Sequence, residues 1–152
     1  IVEYCKKLNR MQDTGYMIQD KKIRASCIVR HESSYAYLKI AEGCNKRCSY
    51  CVIPSIRGKY RSVRPDAVLK EAERSLKAGA KELILVAQDT SCYGRDIGYD
   101  ISELLRDICS LSGEFRVRLL YTYPASVTDS LLNVIAEEEK ICKYLDMPLQ
   151  HS

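Results

Sequence analysis

The sequence predicts an α/β fold built on a parallel sheet. Short continuous apolar runs, with 83–87 the plainest, alternate with segments of helical apolar spacing, giving the order β-α-β-α-β-α-β. The chemically distinctive residues fall just after the apolar runs, where parallel α/β proteins build their sites. Together these point to strand–helix–strand units with right-handed crossovers. The spacing alone does not separate an open doubly wound sheet from a barrel.

At 152 residues and 46% hydrophobic content, the chain is one domain's worth or less, with enough apolar material for a core. The net charge of +4 is mild. It is unevenly spread: Lys46, Arg47, Arg57, Lys59, Arg61 and Arg64 lie between Cys44 and Pro65 with no acid among them. Such a run is either a solvated loop or a face for an anionic cofactor group, an RNA or a ribosomal partner. No secretory segment and no apolar run of about 20 residues is present, so a soluble cytoplasmic protein with no membrane association is expected. The chain opens on Ile1 and closes on His151-Ser152, which reads as a piece cut at both ends.

Residues 1–34 are polar and weakly patterned and read as a linker arriving from an upstream domain. The first strand is expected at 37–41, with Glu42-Gly43 as the turn out of it. Residues 54–58 form a turn-rich basic connector. Pro65 suits the first position of a helix and Asp66 its first turn; Val68, Leu69, Ala72 and Leu76 give its apolar face and Gly79 ends it. The run 83–87 is a strand expected to be buried on both faces. Asp100 with Glu103 makes a capping-box start for a helix carrying Ile101, Leu104, Leu105 and Ile108, which Gly113 breaks. A third strand is expected at 117–121. Ser126 with Asp129 is expected to cap a third helix bearing Val127, Leu131, Val134 and Ile135. A fourth strand is expected from Tyr144 to Leu149.

The segment that organises the chain is Cys44-Asn45-Lys46-Arg47-Cys48-Ser49-Tyr50-Cys51, a C-x3-C-x2-C cluster on the loop after the first strand. A structural zinc site usually has four ligands in two close pairs, and no second pair follows here. Cys27 or His31 would have to complete it, making a non-catalytic structural or nucleic-acid-binding module. A disulfide framework suits short secreted chains. Four cysteines saturate a 4Fe-4S cube, so three would leave one iron open for chemistry. The residues by themselves leave the open cluster and the zinc reading both standing. Cys5, Cys27, Cys92, Cys109 and Cys142 show no mutual metal spacing; Cys109 reads as a core residue, and Cys92 falls close after Gln88 and Asp89.

The C-x3-C-x2-C spacing with an aromatic before its last cysteine resembles the motif of the radical S-adenosylmethionine (SAM) enzymes. The words at 37–44 and 53–59 resemble the methylthiotransferase branch, and those at 86–90 and 144–151 the enzymes that modify an aspartate of a ribosomal protein. The resemblance runs from about residue 35 to the end. It implies an incomplete radical SAM barrel of the (β/α)6 type, with about four of its six strands in residues 35–152. It also implies that Cys44, Cys48 and Cys51 ligate a 4Fe-4S cluster whose open iron chelates SAM. Tyr50 would pack near the adenine, Gln88 and Asp89 would lie toward the methionyl end, and Gln150 and His151 would contact the cofactor or shape its loop. Tyr121 and Tyr123, after the third strand, read as packing aromatics, and no catalytic residue is identified.

The implied reaction replaces a β-carbon hydrogen of an aspartate in a small-subunit ribosomal protein by a methylthio group, through a 5′-deoxyadenosyl radical. A flavodoxin or ferredoxin would supply electrons, and a second 4Fe-4S cluster would sit in an amino-terminal domain. The related branch acting on a tRNA adenosine is the alternative; it tends to carry Gln-Asn where this chain has Gln88-Asp89. The family's glycine-rich SAM motif after strand five is absent, so these residues alone are expected to be inactive.

Overall fold

The computed structural model describes residues 34–148. Three strands, β1 (Tyr35–Lys39), β4 (Glu82–Val86) and β5 (Arg116–Leu119), form a parallel sheet in the order β1-β4-β5. The register places Tyr37 beside Ile84 and Ile84 beside Arg118. Between β1 and β4 the chain makes a small antiparallel pair, β2 (Ala41–Glu42) with β3 (Arg61–Ser62), and a short helix α1 (Ile53–Arg57). The longer helices are α2 (Pro65–Lys77), α3 (Ile101–Cys109) and α4 (Asp129–Glu137).

The helix starts follow their local chemistry. Proline and Asp66 occupy the first turn of α2, where a missing N–H costs nothing and acid complements the helix dipole. Asp100 and Glu103 form a reciprocal capping box on α3, with Ser102 N–H donating to Asp100 at 2.7 Å and Asp100 N–H to Glu103 at 2.9 Å. The cap of α4 is Thr128, which accepts from Leu131 N–H at 3.3 Å, and not Ser126. Ser126 instead lies in a 3-10 turn at Pro124–Ser126 and is buried.

One face of the sheet is sealed. Leu38, Leu83, Leu85, Val117 and Leu119 are buried against Val68, Ala72, Leu104, Leu105, Ile108, Leu131 and Val134 of the helices. Successive helices touch, α2 against α3 and α3 against α4, so they line up side by side on that face. A doubly wound sheet would divide them between two faces and reverse its strand order. Sequential strands with neighbouring helices are the winding of a barrel.

The strand at 82–86 is therefore buried on one face, correcting the expectation of two. Glu82, Ile84 and Val86 point into the barrel and are half-buried, and on β1 Tyr35 and Tyr37 are each 39% exposed. Among the described residues the interior is lined but not closed. The fourth strand expected at 144–149 does not form over its described residues, and a single parallel bridge between Val117 and Ile141, ahead of that segment, extends the sheet instead. Beyond it, 142–148 run as irregular chain beside β5, held by Thr122 N–H and Oγ1 donating to the Asp146 carbonyl at 2.9 and 2.6 Å. A ladder there is interrupted because side-chain bonds from Thr122, and Asp146 Oδ2 accepting from Tyr121 N–H at 2.9 Å, take the place of regular pairing.

Candidate functional site

The cysteine loop leaves the carboxyl end of the sheet through Gly43, at φ +83, packed so tightly that a Cβ would lie 2.2 Å from the Lys59 carbonyl oxygen. Its entry is tied to the chain that follows: Cys44 N–H donates to the Gly58 carbonyl at 3.1 Å, and Tyr60 N–H to Asn45 Oδ1 at 3.0 Å. The β2–β3 pair closes this excursion, and Val63 N–H donating to the Ile40 carbonyl at 2.8 Å returns the chain to the sheet. What the sequence presents as a turn-rich connector thus contains α1, whose Pro54 stands in the first turn, where a helix tolerates proline.

Cys44, Cys48 and Cys51 are free thiols, all half-buried. Lys46 N–H approaches Cys44 Sγ at 3.4 Å, a bond of the kind that tunes cluster sulfurs. Among the described residues no group of three or more His, Cys, Asp or Glu side chains could hold a metal ion. Three half-buried free thiols on one loop are the donor chemistry that a 4Fe-4S cube takes. Cys27 and His31 lie outside the described residues. Tyr50 is 69% exposed on the loop. Desolvation, then its neighbours Cys48, Cys51 and Tyr123, push its phenol pKa up.

The end of β4 sends its two polar residues to opposite environments. Gln88 is exposed. Asp89 is 2% exposed and begins a 3-10 turn at Thr90–Cys92. Its Oδ1 accepts from Ser91 N–H at 3.1 Å and from Ser91 Oγ at 2.5 Å, and its Oδ2 from Cys92 Sγ and Ser126 Oγ, each at 3.1 Å. Lys46 Nζ completes the set at 2.8 Å. Burial alone would raise the Asp89 pKa; bonds from Lys46, Ser91 and Cys92 outweigh it and hold the group below the ordinary carboxylate value. Tyr60 Oη donates to the Asp89 backbone carbonyl at 2.8 Å, and burial pushes its phenol far up.

The end of β5 contributes aromatics. Tyr121 is half-exposed at φ 59, a left-handed conformation that bulky side chains avoid; its carbonyl accepts from Thr90 N–H at 3.0 Å. The Tyr123 ring lies under the Lys46 ammonium, 3.4 Å from nitrogen to ring centroid. The structure therefore gathers Cys44, Cys48, Cys51, Tyr50, Asp89 and Tyr123 at one end of the sheet, while Gln150 and His151 lie outside the described residues. Cys92 stands beside Asp89, and burial raises its thiol pKa. Lys46 had no signal of its own beyond the basic run, and Ser126 read as a helix cap, not as a site residue. Among the described residues no helix is long and apolar enough to cross a membrane.

Residues 38–152 match the model of the radical SAM superfamily. Among curated proteins, the ribosomal protein uS12 methylthiotransferase RimO of Thermodesulfovibrio yellowstonii is 55% identical over 120 residues, spanning 78% of this chain and 28% of that protein. The protein of the same name from Thermoanaerobacter sp. is 45% identical over 156 residues, spanning 100% of this chain and 35% of that one. The chain thus spans about a third of the length of these relatives. Among solved structures, the radical SAM methyltransferase TsrM from Kitasatospora setae, with cobalamin and a [4Fe-4S] cluster bound, superposes with a TM-score of 0.53 at 19% identity. It covers 66% of this chain and 20% of its own, a likeness of fold.

Proposed function

Because this chain belongs to the radical SAM superfamily, we propose that it forms the first part of the SAM- and cluster-binding core of a methylthiotransferase acting on a ribosomal protein. The target atom is the β-carbon of an aspartate in a small-subunit ribosomal protein. The observation that carries the reading is the set of free thiols, Cys44, Cys48 and Cys51, on one loop at the carboxyl end of a singly wound parallel sheet.

In this reading the three thiolates hold a 4Fe-4S cluster, with one iron left to chelate SAM. When bound, such a cluster supplies the electron that cleaves a carbon–sulfur bond of SAM, giving methionine and a 5′-deoxyadenosyl radical. The chain's own residues bind, orient and shield. Exposed Tyr50, beside two of the thiols, offers a stacking surface for the adenine. Exposed Gln88 is the residue of the expected Gln88-Asp89 pair proposed to meet the methionyl end, whereas Asp89, buried with its oxygens taken by Ser91, Cys92, Ser126 and Lys46, is proposed to fix the loop in place of a direct cofactor contact. Gln150 would complete the cofactor contacts. The inner faces of β1, β4 and β5, half-buried on β4 and more open on the other two, would wall a chamber that keeps water from the radical.

Residues 1–34 act as the linker from an amino-terminal domain bearing a second 4Fe-4S cluster, and 35–152 as the start of the barrel. A flavodoxin or ferredoxin in the cytoplasm supplies electrons, and the exposed cations Arg47, Arg57, Lys59, Arg61 and Arg64 suit an acidic or RNA-rich partner.

Anaerobic reconstitution of the full-length protein tests the cluster. Loss of about four irons and of about half the brown absorbance, the second cluster keeping the rest, is expected when any one of Cys44, Cys48 or Cys51 is replaced by serine, against the wild type prepared alongside. One zinc per chain would overturn the reading. Mass spectrometry of a deletion strain tests the substrate: loss of methylthio-aspartate with normal tRNA is expected, and loss of a methylthio-adenosine instead would assign the enzyme to tRNA.

A further inference from the structure

Ion pairs away from water are expensive to assemble, and an apolar pair of similar shape often stabilises a protein as well or better. This chain nevertheless builds one between the cysteine loop and the sheet. Lys46 stands between the first two cysteines of the loop, with its side chain 25% exposed. Its ammonium reaches Asp89 Oδ2 at 2.8 Å, Ser126 Oγ at 3.0 Å and the Tyr123 ring at 3.4 Å. Those partners come from the ends of two different strands, Asp89 after β4 and Tyr123 and Ser126 after β5. Ser91 holds the other oxygen of Asp89, Oδ1, Cys92 donates to the same Oδ2, and Arg95 donates to the Ser126 carbonyl at 3.1 Å. The bonds of Cys44 and Asn45, by contrast, fasten the loop's entry to the returning chain at Gly58 and Tyr60.

We infer that Lys46 and Asp89 form a latch that positions the cysteine loop over the ends of β4 and β5 and balances charge beside the thiolates. They are positioning residues, acting through the loop and touching neither SAM nor substrate. The inference rests on the cluster-binding reading above. A rigid seat is what an open cluster needs, because its free iron must face the chamber while the loop itself has little packing of its own: Ser49, Tyr50 and Val52 are all exposed.

The test compares full-length wild type with Lys46→Met, Asp89→Asn and the double variant, after anaerobic reconstitution. The readouts are the rate of iron loss to a chelator, the cluster's midpoint potential and the unfolding temperature of the metal-free protein. Each single variant is expected to lose iron about tenfold faster or more, as when outer partners of metal ligands are removed. Their potentials should shift in opposite directions, upward where Asp89→Asn leaves a cation unbalanced and downward where Lys46→Met leaves an anion. The double variant should recover the unfolding temperature, since no lone buried charge remains, yet still lose iron fast. Wild-type iron retention in the double variant would overturn the latch and leave cluster binding intact. A Cys44→Ser variant that keeps the full iron content of wild type would instead remove the cluster reading, and the latch with it.

Discussion

At Gly43 the chain turns out of β2 at φ +83, with the Lys59 carbonyl oxygen 2.2 Å from where a Cβ would stand. No flexible neighbour can give way, because the obstacle is backbone. Gly43→Ala is expected to lower stability by about 1–3 kcal/mol, read as a fall in the urea midpoint with an unchanged slope. The position next to Cys44 means the same change should also disturb the loop's seat. Single-residue chemistry of this kind was partly legible: Glu42-Gly43 reads as a turn, and the cysteine spacing declares itself. Lys46 did not stand out from its basic run, since nothing in the spacing says which cation meets a buried carboxylate far downstream. Gln88 and Asp89 read as a matched pair, yet alternation along the chain leaves the first exposed and the second 2% exposed.

Elements with self-contained signals formed as their residues dictate. The capping box of α3 uses Asp100 and Glu103, three residues apart, so both partners lie within one turn. Asp100→Ala should cost about 1 kcal/mol, seen as a lowered thermal midpoint, because Ser102 N–H loses its acceptor. Where two capping residues compete, tertiary context chooses. Ser126 and Thr128 both suit a helix start; Ser126 is drawn to Asp89 and Lys46, and Thr128 takes the cap of α4. The segment expected as a fourth strand, 144–149, met a similar competition: Thr122 bonds to Asp146 there, and the one parallel bridge falls ahead of it, at Ile141. The small β2–β3 pair escaped notice because two-residue strands carry no periodicity to read.

For the whole molecule, the Asp89 network links the cysteine loop to two strands, and its protonation is felt as global stability. The folded-state pKa of Asp89 lies below its ordinary 3.8, so its contribution is complete above that value and is lost as pH falls through the lowered one. Urea midpoints should therefore drop for wild type below about pH 4, and Asp89→Asn should flatten part of that drop. Apolar runs and helical spacing by themselves determined the α/β class, the strand–helix alternation and the cysteine cluster at a strand end, since these depend on neighbours within a turn or two. Barrel winding over a doubly wound sheet was implied by the resemblance but lay beyond periodicity, and the tertiary structure bore it out; it alone decided which cation, carboxylate and serine meet beneath the cysteines. Those outcomes depend on which face each helix packs and how strand ends align, contacts between residues that local periodicity never brings into one window.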